Sequence, residues 1–222
     1  MSIESFSQFF MSPTGTVISI AILLILVAFF ALNLKKNETL SVKALTYSAI
    51  CIALATVLSN VKLYEMPTGG TITACSMLFI SLIGYWFGAF PGIVAATAYG
   101  ILQLIFDPYI VHPMQLLLDY PIAFGILGVS GFFVNSKNGL VKGFVLGAIG
   151  RWLCSTLSGV LFFAEYAGSQ NVFVYSSIYN ISYVGPEILM TVALISVPAF
   201  KNAIEHVKLS LTNSQIKISE AN

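Results

Sequence analysis

The chain has 222 residues, 57% of them hydrophobic and 9% charged, with a formal net charge of +1 and a mean hydropathy of +0.89. A soluble domain carries about 25% charged residues, so this composition excludes a soluble globular protein and leaves an integral membrane protein. The near-neutral balance comes with no basic patch, which removes nucleic acid as a partner.

A spanning helix needs about 20 apolar residues. Seven candidate spans follow along the chain, at about 14–34, 44–61, 72–90, 92–106, 115–134, 143–164 and 172–198, with the fourth short. The breaks between them, "LKKNE", "YEMPTGG", "FPG", "DPYIVHP", "NSKNG" and "AGSQN", carry turn residues. The expected architecture is an all-α polytopic membrane protein. One extra helix and its cytoplasmic link (1–43) precede a six-helix body (44–200), and a cytoplasmic tail (201–222) ends the chain. The first span has no basic residues before it and Lys35 and Lys36 directly after it, as in an uncleaved anchor. Placing the N-terminus outside puts Lys35, Lys36, Lys43, Lys137, Lys142, Lys201, Lys208 and Lys217 in the cytoplasm and leaves Lys62 outside. That asymmetry sets the expected topology, N-terminus outside and C-terminus cytoplasmic.

On this topology the polar residues of three helices share a level in the outer leaflet. Asp119 and Tyr120 lie within two turns of the outer surface in "LLLDYPIAF"; Ser155, Ser158 and Phe163 occupy the outer half of the next helix; Tyr175 and Asn180 enter with the last. A carboxylate in hydrocarbon is costly and faces a cavity or a partner. The same residues also have packing explanations: Asn180 as interhelical glue, Ser155 and Ser158 as small contacts, and the tyrosines as an interfacial belt. Asn180, Tyr183 and Glu187 share one helix face, whereas Tyr175 lies off it, so a bend is expected at the helix entrance. Arg151 is expected to snorkel or to pair with Glu187. Asp107 and His112 read as capping and solvated loop residues, and His206 falls in the tail.

Reaction chemistry is not visible. Cys51, Cys75 and Cys154 lie in apolar segments without metal-ligand spacing. Both histidines lie outside the helices, which leaves Ser158 no base, and there is no His–carboxylate cluster or phosphate-binding glycine loop. No catalytic residue, metal or cofactor is assigned.

The runs "MPTGGTIT", "LLLDYPIAFGILGVSG", "RWLCSTLSGVLFFAEYA" and "YSSIYNISYVGPE" closely resemble the thiamine-specific S components of energy-coupling factor transporters, over about residues 44–200. The resemblance implies a non-enzymatic vitamin-binding subunit of a bacterial plasma membrane, open to the outside. Such a subunit works with a transmembrane scaffold subunit and two separate ATPase subunits. It implies ligand contacts at Asp119, Tyr120, Ser155, Phe163, Tyr175 and Asn180, and scaffold docking through Ala49 and Ala53. The family usually has glutamate at the position of Asp119, histidine at Ser155 and tryptophan at Phe163. Thiamine is the implied ligand. A thiamine precursor, another small heteroaromatic vitamin, or a membrane protein without transport function are the alternatives.

Overall fold

The computed structural model describes residues 40–67 and 69–219, together with 9, 12–15, 17, 18 and 21, with side chains described as far as Leu211. The expected first span, 14–34, lies almost entirely outside the described residues. The rest is a polytopic all-α membrane fold: α1 (Val42–Ser59), a hairpin of β1 (Lys62–Glu65) and β2 (Thr71–Thr73), α2 (Ser76–Phe87), α3 (Ala89–Phe106), α4 (Pro113–Phe133), α5 (Gly139–Phe162), α6 (Val172–Ser196) and α7 (Pro198–Ser219). Helices α1, α3, α4, α5 and α6 are long and apolar enough to cross a membrane.

The expected span at 72–90 is corrected. Residues 71–73 pair antiparallel with 62–65, and α2 has 12 residues. At 1.5 Å per residue it is about 18 Å long, short of a bilayer's hydrocarbon core. Cys75 (φ 59°) and Gly88 (φ 96°) bracket it in left-handed backbone. The expected fourth helix is longer than its apolar run suggested, starting at Ala89 directly after Gly88. The 201–222 tail begins as a helix, α7, after an extended residue at Val197. It docks on α2, where Trp86 Nε1 donates to Ile204 O (3.3 Å) and Tyr85 Oη donates to Glu205 Oε1 (2.6 Å).

Local sequence explains the helix starts. Ser41 Oγ accepts from Ala44 N, Asn171 Oδ1 from Val174 N, and His112 Nδ1 from Met114 N ahead of Pro113. The capping expected of His112 is thus present, but the residue is buried rather than solvated, its ring stacked on Phe162 (centroids 4.9 Å apart). Helix α4 changes its winding. It starts as an α-helix, widens to a π-turn over Leu118–Ile122 around Pro121, and tightens to 3-10 winding over Ile126–Phe133. Proline supplies no N–H and crowds the preceding turn, so the ladder is re-registered there.

Helix α4 packs against α2, α3 and α5, and α6 packs on α5. Tyr99, Phe144, Met77 and Leu127 are fully buried between them. Outward faces stay apolar: Leu146, Ile149, Leu153 and Leu157 of α5 are all exposed, as a lipid-facing helix requires. The α3–α4 crossing is built on glycine. A Cβ on Gly128 would sit 2.3 Å from the backbone of Gly92 and Ile93. Close backbone approach of this kind holds membrane helices together where the hydrophobic effect cannot. Gly128→Ala is therefore expected to destabilise the fold by about 1–3 kcal/mol, seen as earlier thermal unfolding in detergent.

Candidate functional site

A cavity of about 360 Å³ opens among the hairpin, the 107–112 loop and helices α3 to α6. Its volume lies in the range of small-molecule pockets. Asp119, Tyr120, Ser155, Phe163, Tyr175 and Asn180 all line it; Ala49 and Ala53 lie instead on the exposed face of α1.

The outer walls are held by backbone-directed bonds. The hairpin closes through Met66 N to Gly70 O (2.9 Å), with Gly69 and Gly70 both at positive φ. Its tip rests on α6: Tyr179 Oη donates to Gly69 O (2.9 Å), and a Cβ on Gly70 would strike the Tyr183 ring at 2.6 Å. Only glycine fits there. Across the opening, Lys62 Nζ bridges Glu65 Oε1 (3.0 Å) and Asp107 Oδ2 (3.1 Å), tying the hairpin to the 107–112 loop. That loop is fixed from α4. Tyr120 Oη accepts from Tyr109 N and donates to Asp107 O, while Gln115 accepts from Val111 N and donates to Tyr109 O. The only hydroxyl proton of Tyr120 is thereby committed to the loop, and its ring faces the cavity lining.

Two aromatic pairs form the sides. Tyr109 stacks with Phe163 (centroids 5.9 Å, 24° between planes), and Tyr175 stacks with Tyr179 (6.0 Å, 27°). The entrance of α6, where a bend is expected, is continuous helix. The helix runs uninterrupted from Val172 to Ser196, and Tyr175, Tyr179, Tyr183 and Glu187 follow each other at i+4 along the cavity, beside Ser176 and Asn180. These residues cover an arc of about 140° at 100° per residue, which a wide cavity accommodates.

Polar groups make up the floor. Asp119 Oδ2 accepts from Gln115 Nε2 (2.8 Å) and Ser158 Oγ (2.8 Å), whereas Oδ1 has no hydrogen-bond partner among the described residues. The amide of Asn180 is occupied: Nδ2 donates to Ser155 O (3.2 Å) and Ser176 O (2.8 Å), and Oδ1 accepts from Tyr183 Oη (2.6 Å). Asn180 therefore glues α5 to α6 at the bottom of the cavity. Glu187 does not pair with Arg151. Its carboxylate accepts from Thr73 Oγ1 (2.9 Å), Ser76 Oγ (3.3 Å), Met77 N (3.3 Å) and Thr73 N (3.5 Å), and so caps α2 from another helix. The positive end of α2 stabilises the charge. Arg151 lies over the Phe124 ring at 4.1 Å and lines the cavity; its buried Nε has no hydrogen-bond partner among the described residues.

Gln115 escaped the sequence reading. Its position four residues before Asp119, on the same helix face, was the available signal. For Arg151 the sequence offers snorkelling or an ion pair with Glu187, and its placement over Phe124 depends on a residue of another helix.

The family described as "Thiamine transporter protein (Thia_YuaJ)" matches residues 45–206. The chain belongs to this family. Thiamine transporter ThiT of Bacillus subtilis is 30% identical over 171 residues, covering 69% of this chain and 88% of that protein. Thiamine transporter ThiT of Lacticaseibacillus paracasei is 31% identical over 111 residues, covering 42% of this chain and 55% of the other. A solved structure of ThiT from Listeria monocytogenes superposes with a TM-score of 0.53 at 22% identity, covering 78% of this chain and 94% of that one. At that identity the structural likeness supports the all-α fold. The match to the Thia_YuaJ family begins at residue 45, so the expected first span precedes it.

Proposed function

We propose that this protein is the substrate-binding membrane subunit of an energy-coupling factor type transporter, that it takes up thiamine, and that it does not itself hydrolyse ATP. Family membership supports the transport of thiamine. The observation that carries the binding site is the carboxylate of Asp119, anchored through one oxygen and with the other left for a ligand, in a cavity that two stacked aromatic pairs also line. Thiamine combines a permanently charged thiazolium with an aminopyrimidine, and so offers flat faces, positive charge and donor and acceptor edges. Asp119 Oδ1 accepts from the donor edge or meets the charge. The rings of Phe163 and Tyr175 provide stacking faces. Tyr120, Ser155 and Asn180 hold the walls and floor in place and contact the ligand by shape.

On this reading the cavity faces outward, with the N-terminus outside and the C-terminus in the cytoplasm, as the lysine distribution supports. Ala49 and Ala53, both exposed on α1, form the face that docks on the transmembrane scaffold, where small side chains permit close helix approach. Two ATPase subunits supply the energy. The test is uptake of labelled thiamine by cells with and without the scaffold and ATPases, run on the wild type and on Ala53→Leu. Uptake is expected to need all partners and to be abolished in Ala53→Leu, with thiamine binding by the purified variant within about twofold of wild type. Uptake by the chain alone would remove the assembly from the proposal, and loss of binding in the variant would make α1 an internal packing surface.

A further inference from the structure

A second cavity, of about 630 Å³, lies at the opposite end of the bundle, outside the proposed thiamine site. It is bounded by the α4–α5 loop, the first turn of α5, the last turn of α6 and one face of α7. Gly139 and Ser196, where two spans end, both line it, which puts the cavity at the membrane–water boundary. Its α7 wall is Lys201, Ile204, Glu205 and Lys208, at i, i+3, i+4 and i+7 of one helix face. Lys137 from the loop lies opposite. Three ammonium groups thus meet one carboxylate, and that carboxylate already accepts from Tyr85 Oη.

The cavity is half basic and half greasy. Tyr85, Leu140, Val141, Ile195 and Ile204 supply its apolar surface. Lys201 Nζ makes a 3.3 Å contact with the neutral Asn138 Oδ1, and Lys208 contacts Val134 O and lies 4.1 Å over the Tyr85 ring. Burial pushes the Lys208 ammonium below its usual range, and Glu205 offsets this only in part. Among the described residues that line the cavity, Glu205 is the one carboxylate beside Lys137, Lys201 and Lys208. A soluble anion would satisfy the lysines but would leave the apolar wall without a partner.

We infer that this cavity binds the phosphate headgroup of an anionic phospholipid, with Lys137 and Lys201 on the phosphate and the start of an acyl chain along Ile195 and Ile204. Basic pockets where spans meet the cytoplasmic leaflet suit such headgroups, at about 1 kcal/mol for each lysine near the surface. The inference draws on the lysine count for the side of the membrane and is independent of what the other cavity binds.

The test is native mass spectrometry of the detergent-purified full chain, titrated with phosphatidylglycerol, phosphatidylcholine or glycerol 3-phosphate. Phosphatidylglycerol is expected to bind at least about tenfold more tightly than phosphatidylcholine, and the Lys137→Gln/Lys201→Gln double variant to lose about 30-fold of that affinity. Lys43→Gln removes one charge at α1, outside the cavity, and is expected to bind as wild type. The single variant Lys137→Gln, in an exposed loop, gives a smaller loss in the same direction should the double variant prove unstable. Equal binding of the two lipids, or wild-type affinity in the lysine variants, overturns the inference. Glycerol 3-phosphate binding as tightly as phosphatidylglycerol overturns it in favour of a soluble-anion site. Thiamine titration of the same variants separates this outcome from any failure at the outer cavity.

Discussion

Replacing Asp119 with asparagine is expected to weaken thiamine binding by about 30-fold or more, with folding and insertion intact. Losing one partner of a buried charged contact costs about 2–5 kcal/mol, and about 1.4 kcal/mol is tenfold in affinity. Asparagine keeps the side-chain shape and can still accept from Gln115 and Ser158 through its amide oxygen, so the helix contacts around position 119 survive. What it lacks is the charge presented to the ligand. Asp119→Glu is expected to be much milder, because it retains the carboxylate on a side chain one methylene longer. Calorimetric titration of both variants decides between them. Wild-type affinity in the asparagine variant would mean that the carboxylate serves only Gln115 and Ser158.

The largest expected loss of stability comes from Glu187→Ala. Glu187 is 2% exposed, and its carboxylate receives two backbone N–H groups and two hydroxyls at the start of α2. A hydrogen bond to a charged group is worth about 1.5–3 kcal/mol, and stranding buried donors adds to the cost. Cys75, at the N-cap position, makes no side-chain hydrogen bond of its own, so nothing nearby replaces the carboxylate. The fold is expected to lose about 3 kcal/mol of stability, read as earlier unfolding in detergent. Because β2 loses its anchor with α2, the hairpin over the cavity is expected to loosen as well, with faster proteolysis around 66–70. Glu187→Gln keeps an acceptor oxygen and is expected to fall between alanine and wild type. A variant melting as wild type would place the capping of α2 elsewhere.

The spans were legible because hydropathy is a local property, and five of them start and end within a few residues of their apolar runs. The failures share a cause. Residues 72–75 are apolar enough to extend a helix, yet Thr71–Thr73 pairs with Lys62–Glu65 where Met66 N closes on Gly70 O, and the cap of α2 comes from Glu187, far along the chain. No window of local sequence contains that carboxylate. The Arg151–Glu187 pair was a reasonable reading of two charges on adjacent helices. It does not form, because Glu187 meets a helix N-terminus and Arg151 a phenylalanine ring. In the candidate site, shared depth was enough to group residues from three helices. What each polar atom bonds to was not legible: Asn180 and Tyr120 direct most of their hydrogen-bonding capacity at backbone groups, and Gln115 organises the loop above Asp119.

The most direct measurement is calorimetric titration of the detergent-purified protein with thiamine, thiamine monophosphate, and the separate pyrimidine and thiazole halves. Saturable one-to-one binding of thiamine is expected, tighter than that of either half by at least about 100-fold, since each half occupies only part of a site built from stacked pairs and one free carboxylate oxygen. Thiamine binding no tighter than its pyrimidine half would contradict the assignment of thiamine, and no binding of any of the four would contradict the site itself.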